Sequence, residues 1–334
     1  MANSSIADLA ETIAGGDHAT AADHRPAEVS ATRKLRILML HGFTQSGPRF
    51  HDKTRALEKA ISKALPAAPA PNHLPAYPGG VELVYPTGPF RLEPGSLPGQ
   101  PTDATAPHPG SANEDHDGRA AVESWAWWRK DEQTGEYEGI EQGWGVMAET
   151  LKQRGPFAGV IGFSQGAAAA AMLAALLEPR RRAALERGSH ALPTPGIPYP
   201  PQLLTDDGSM AGARAAEPSI IHPPFRFAVS YSGFRAPHAR YAALYDPPIA
   251  TPLLHFIGSL DSVVDESRSL HLVEACSLTD DLRSRRVILH PGGHFLPTQK
   301  QFVNVLVAFI RESVGHDVAD PAADTALTPR SKLS

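Results

Sequence analysis

The chain has 334 residues, 42% hydrophobic and 20% charged, with a formal net charge of −5. That is enough for one large core or two modest ones, and without a basic surplus the charge excludes a binder driven by nucleic acid or anionic membrane. The single cysteine, Cys276, excludes an internal disulfide framework and fits a reducing compartment.

In chain order, residues 1–33 are polar, small and alanine-rich and are expected to form a flexible N-terminal tail. They hold no apolar h-region of a secretory signal. No run reaches the ~18 apolar residues of a membrane span. The chain ends "SKLS", one residue beyond a Ser-Lys-Leu peroxisomal address. The expected setting is therefore soluble and cytoplasmic.

Residues 34–312 read as one α/β domain, and residues 313–334 as a flexible C-terminal tail. "LRILMLHGF" is a short apolar run closed by a turn, the pattern of a buried parallel strand. "HDKTRALEKAISKAL" places Leu57, Ala60, Ile61, Ala64 and Leu65 on one helical face. "VELVYPTGP" is a second strand. Residues of about 91–122 are Pro/Gly-rich and polar, and read as an insertion. "ESWAWW" brings Trp125, Trp127 and Trp128 together, expected as packing, ahead of a helix from near Gly139.

"GPFAGVIGFS" is a third strand, and "QGAAAAAMLAALLEPRRRAAL" the helix after it. A second proline-rich insertion spans about 188–224 and reads as too polar for core. "FRFAVSYSGF", "TPLLHFIGSLD" and "RRVILHPGGHF" are three more strands. A helix runs through "SRSLHLVEAC" and a last one through "TQKQFVNVLVAFIRES". Cys276 is expected as a small packed hydrophobe. The alternation predicts a mostly parallel six-stranded sheet with helices on both faces. Functional groups then belong at the carboxyl ends of the strands, in "HGF", "PTGP", "GFSQG", "SGF", "GSLD" and "PGGHF".

"GFSQG" (Gly162 to Gly166) matches the nucleophile elbow G-x-S-x-G between strand and helix. Small residues two positions either side of Ser164 allow the backbones to approach, and the helix N-terminus offers free N–H groups to an oxyanion. A serine nucleophile needs a base, and the base an orienting acid, in the order Ser, Asp, His. Asp261 stands past the fifth strand, with Asp265 second in rank as a helical residue. His294 stands in a glycine loop past the sixth, whereas His255, His271 and His290 read as structural. The oxyanion N–H groups are assigned to Phe43, with Thr44 as runner-up, and to Gln165. His41 is expected to shape its loop by hydrogen bonds. No HExxH, CxxC pair, carboxylate cluster, P-loop or dinucleotide fingerprint is present, so neither metal nor cofactor is expected.

The segments "RILMLHGFTQSGPRFHDKTRALEKAI", "WAWWRKDEQTGEYEGIEQG", "GPFAGVIGFSQGAAAAAML", "FAVSYSGF", "HFIGSLDSVVDESRSLHLVE" and "VILHPGGHFLP" together resemble the FSH-type serine hydrolases, which include fungal serine hydrolases and the human ovarian-cancer-associated serine hydrolase. The resemblance covers about residues 34–312. It implies a compact α/β-hydrolase with a Ser-Asp-His triad on Ser164, Asp261 and His294, and no cofactor. It also implies a small-molecule acyl ester or thioester substrate. Some fungal relatives look like partners of polyketide synthases, which makes a carrier-bound thioester in secondary metabolism the alternative. An acyltransferase and a non-catalytic binding protein on the same fold are two further readings.

Overall fold

The computed structural model describes residues 32–93, 123–190, 193–205 and 218–315. All of them fall in one unit, Ser30–Val318. β1 (Leu35–Leu40) leads into α1 (Gly47–Ala64) and β2 (Val81–Val84). Two short antiparallel pairs follow: β3 (Phe90–Leu92) with β4 (Ser124–Ala126), and β5 (Arg129–Lys130) with β6 (Tyr137–Glu138). Then come α2 (Ile140–Arg154), β7 (Gly159–Phe163), α3 (Gln165–Leu176), α4 (Arg181–Gly188) and β8 (Phe227–Tyr231). β9 (Leu253–Gly258), α5 (Glu266–Glu274), α6 (Asp280–Arg286), β10 (Val287–His290) and α7 (Lys300–Val314) complete the order.

The six apolar runs read as strands are the six strands of the main sheet, in the order β10-β9-β8-β7-β1-β2. Every neighbouring pair in it is parallel. The period of two along β1 explains how both faces are covered. Leu35, Ile37 and Met39 pack with Phe50, Leu57 and Ile61 of α1 and Phe302, Leu306 and Phe309 of α7. Leu38 and Leu40 pack on the other face with Trp144 and Met147 of α2 and the alanines of α3. Ser46 caps α1 by accepting from the Arg49 N–H at 3.4 Å, with Pro48 in the first turn where no N–H is needed. The mostly parallel six-stranded α/β sheet with helices on both faces, expected from the alternation, is the one observed. Among the described residues, no helix is long and apolar enough to cross a membrane.

Three details differ from the sequence reading. The helix expected from Gln165 through Leu185 is two helices, α3 and α4, separated at Leu177–Arg180. Pro179 has no N–H to continue the ladder. Across this break Arg181 is fully buried and pairs with Glu178 at 3.0 Å. Glu178 Oε1 accepts from the Ala250 and Thr251 N–H groups, both at 2.8 Å. Arg181 donates to Pro247 O at 2.6 Å, so the pair ties the approach to β9 onto α4.

The second proline-rich insertion is not wholly outside the core. Ile197, Tyr199 and Leu203 are buried, and Leu204 bridges to Ile220. The first insertion begins within a hairpin, since β3 and β4 pair across it, and residues 94–122 lie outside the described residues. So do residues 1–31 and 316–334, where the two tails were expected, although α7 itself runs to Val314.

Three histidines are built in as neutral groups. His41 donates from Nδ1 to Gly42 O at 2.8 Å and accepts the Gly88 N–H on Nε2 at 2.9 Å. His222 donates to Pro223 O at 2.6 Å and accepts the Phe157 N–H at 2.8 Å. Burial pushes both down to about 4. Burial, with Arg283 nearby, pushes His255 down to about 3. Because the unfolded chain protonates these rings near pH 6.5 and the native state resists, the unfolded state binds more protons below that pH. Stability is therefore expected to fall as pH drops from about 6.5 toward 4, by up to roughly 3 kcal/mol per histidine. Urea unfolding at pH 7.5, 6.0 and 5.0 checks this, and equal free energies across the series would contradict it.

Candidate active site

β7 ends at Phe163 and α3 starts at Gln165, so Ser164 carries the whole reversal between them. Its backbone sits at φ 54 and ψ −118, a region that side chains with a Cβ rarely occupy. The Ser164 N–H is held by Tyr231 O of β8 at 2.8 Å. The turn is possible because its flanks are bare. A Cβ on Gly162 would lie 2.1 Å from Gly166 O, and one on Gly166 would lie 2.1 Å from Leu40 O. All twelve residues of α3 are buried.

The loops after β9 and β10 bring Asp261 and His294 to this point. Asp261 Oδ1 accepts the Val263 and Val264 N–H groups, both at 2.9 Å. Its Oδ2 accepts from His294 Nδ1 at 2.8 Å. An ionised carboxylate only accepts, so Nδ1 carries the proton. That leaves His294 Nε2 to accept the Ser164 hydroxyl at 2.9 Å. The Phe163 ring lies 4.8 Å from the imidazole, centre to centre. Burial pushes the Asp261 carboxyl up, but the His294 bond, the Val264 N–H and the nearby Ser232 hydroxyl outweigh it and hold it below its usual range. The chain of bonds thus runs from a hydroxyl through an imidazole to a carboxylate, the set needed to activate a serine.

The alternatives named from the sequence lie elsewhere. Asp265 caps α5, accepting the Arg268 N–H at 3.1 Å. His290 ends β10, buried, with its ring 5.3 Å from that of Phe295 and 5.9 Å from that of Phe302. Cys276 is buried, donates its thiol to Leu272 O at 3.3 Å and is pushed up to about 12 by burial. Thr44 adopts φ 68, and its N–H is taken by Trp125 O at 2.9 Å. Phe43 N–H has no partner among the described residues, and neither has Gln165 N–H at the first position of α3.

The Gln165 side chain has a second role that the motif did not reveal. Its Oε1 accepts the Trp127 N–H and its Nε2 donates to Trp128 O, both at 2.9 Å. Trp127 Nε1 donates to His41 O at 2.9 Å, with the two rings 4.9 Å apart. The tryptophan segment therefore joins the start of α3 to the loop after β1. Trp127 and Trp128 are buried as the packing reading expected. Trp128 stacks on Tyr137 and Tyr137 on Tyr241, at 4.9 and 4.8 Å. Among the described residues no His, Cys, Asp and Glu cluster could hold a metal ion.

This geometry can be set beside known proteins. The chain is 29% identical over 277 residues to "Family of serine hydrolases 2" of Saccharomyces cerevisiae, covering 83% of this chain and 97% of that one. It is 30% identical over 273 residues to "Esterase OVCA2" of Danio rerio, covering 79% and 90%. It is 29% identical over 268 residues to a Schizosaccharomyces pombe "Dihydrofolate reductase", covering 80% of this chain but 45% of that protein, so it spans less than half of that relative. The family profile described as "Serine hydrolase (FSH1)" matches residues 30–306, which takes in all six strands of the main sheet and the three linked side chains. The chain belongs to the FSH1 serine hydrolase family.

Proposed function

We propose that this chain hydrolyses a carboxylic ester or thioester through an acyl-enzyme on Ser164. The observation that carries the reading is the unbroken path from the Ser164 hydroxyl through the His294 ring to Asp261, at 2.9 and 2.8 Å. His294 Nε2 takes the hydroxyl proton as Ser164 attacks the acyl carbon. Asp261 keeps the imidazole in the tautomer that permits this, and faces the positive charge that forms. The oxyanion receives the N–H groups of Phe43 and Gln165, with the α3 N-terminus behind the second. His294 then protonates the leaving oxygen or sulfur. Water, deprotonated by His294 in its turn, releases the acid and restores Ser164.

An apolar acyl or alkyl group suits the surroundings. Leu260 and Val263 stand on either side of Asp261 in the chain, 73% and 60% exposed, and Phe295 follows His294 at 44%. Exposed large hydrophobics gathered on two loops of one site are the pattern of a binding surface. The printed name of the Danio rerio relative, an esterase, points the same way. The single buried Cys276 is in keeping with work in the cytoplasm.

The test is a panel of p-nitrophenyl esters and matched acyl thioesters of graded length. Turnover that rises with acyl length is expected. A rate on thioesters well above matched oxygen esters would move the reading to release of a carrier-bound acyl group. Absence of turnover across both series would refute it.

A further inference from the structure

Beside the three linked side chains lies a hydroxyl with no assigned task. Ser232 follows β8, the strand between β7, which ends at Ser164, and β9, which leads to Asp261. It is 1% exposed, and among the described residues its Oγ meets no acceptor at full hydrogen-bond geometry, although the Asp261 carboxylate is near enough to be held down by it. Its backbone takes φ 50 and is fixed there by a 2.9 Å bond from its N–H to Phe256 O of β9. A buried hydroxyl without a full hydrogen bond and a strained left-handed backbone are both unfavourable, and their coincidence at one residue beside a reactive site calls for a function.

Asp261 supplies what the hydroxyl lacks. Its side chain is fully buried. It accepts three bonds, two on Oδ1 and one on Oδ2, whereas a carboxylate offers about four acceptor positions. The vacant acceptor and the unused donor sit at the ends of adjacent strands. A hydroxyl hydrogen is free to rotate toward that vacant position.

We propose that Ser232 is a positioning residue for Asp261, its hydroxyl becoming the fourth donor to the carboxylate as His294 takes up the proton of Ser164. The proposal rests on the hydrolase reading and adds a residue to it. Through this bond Ser232 keeps Asp261 ionised and aimed at His294 Nδ1. The direction in which the Ser232 hydroxyl moves the carboxyl is downward. The other titratable groups around Asp261 are His294 and His290. The latter lies on β10, is buried, and its Nε2 also has no partner among the described residues. Asp265 and Arg268 of α5 are engaged otherwise, Asp265 with Ser267 Oγ at 2.5 Å and the Arg268 N–H, Arg268 with Val263 O.

The decisive variant is Ser232→Gly, which removes the hydroxyl and accepts a positive φ without strain. Its kcat is expected to fall about tenfold with KM unchanged. The acid limb of its pH–rate profile moves to higher pH, because loss of a donor makes the carboxylate easier to protonate and a stronger partner for a charged imidazole. The same shift is expected in the titration of the low-field proton resonance of the His294–Asp261 bond, which needs no turnover. That readout keeps the proposal separate from the hydrolase reading, which labelling of Ser164 tests alone. Ser232→Ala removes the hydroxyl but keeps the Cβ at this φ, and its midpoint is expected to move with that of Ser232→Gly. A Ser232→Gly protein with the wild-type midpoint overturns the proposal, as does a Ser232→Ala midpoint that stays at the wild-type value. A midpoint moved by His290→Phe and not by Ser232→Gly assigns the fourth donor to His290 and also overturns it.

Discussion

Ser164→Ala is expected to lose labelling by a fluorophosphonate probe entirely and to lower kcat on p-nitrophenyl esters by at least roughly 10⁴-fold. The expectation follows from the division of labour around one oxygen. On the proposed mechanism no acyl-enzyme forms without Oγ, and what survives is the acceleration that carbonyl polarisation and binding give to attack by water. The fold should be undisturbed. The hydroxyl's one hydrogen bond in the site is to His294, alanine keeps the Cβ that this turn already accommodates, and the N–H bond to Tyr231 O is unaffected. A change in unfolding free energy within about 1 kcal/mol is expected. His294→Ala should fall by a similar factor, and the double variant by little more, because the two side chains act as one unit. Equal labelling of Ser164→Ala and wild type would place the nucleophile elsewhere, and additive losses in the double variant would separate His294 from Ser164.

The parts legible in the sequence are those whose physics is local. The six main-sheet strands stand out because a strand buried on both faces must be a short apolar run, and a parallel connection must return through a helix. The positions of Ser164, Asp261 and His294 follow from chain order, since loops at one end of a parallel sheet converge. The parts that did not show are bonds between residues far apart in the chain. Glu178 meets Thr251 and Gln165 meets Trp127, and no local pattern around either residue marks such a partner. "EPRRR" has the look of an exposed charge run, yet Arg181 is fully buried. The β3–β4 pair was hidden for the same reason, since the two strands are separated by residues 94–122. Ser232 illustrates the limit most clearly. "SYSGF" reads as the end of a strand, and only the placement of β8 between β7 and β9 gives its hydroxyl a meaning.

Gly166→Ala should remove the native state and not merely the activity. The added methyl would sit 2.1 Å from Leu40 O and 2.4 Å from His41 O, well inside any non-bonded contact, and both are backbone atoms of β1 and its loop. No side-chain rotation relieves this, so α3 must lift off the sheet. Lifting it breaks the Gln165 bonds to Trp127 and Trp128 and displaces Ser164 from His294. Overpacking with backbone shift costs about 1–3 kcal/mol at ordinary core sites. Here the loss of dependent hydrogen bonds adds to it, for an expected total beyond roughly 4 kcal/mol, comparable with the stability of a marginal domain. Gly145→Ala is the matched control, because a methyl there meets nothing within 4 Å in the middle of α2. It should be neutral or stabilising by about 0.5–1 kcal/mol. Urea midpoints for the two variants separate the explanations. If Gly166→Ala unfolds near the wild-type midpoint but is inactive, the glycine serves the chemistry directly. If it fails to fold while Gly145→Ala is intact, the glycine serves the close approach of α3 to β1, and the exposure of Ser164 follows from that approach.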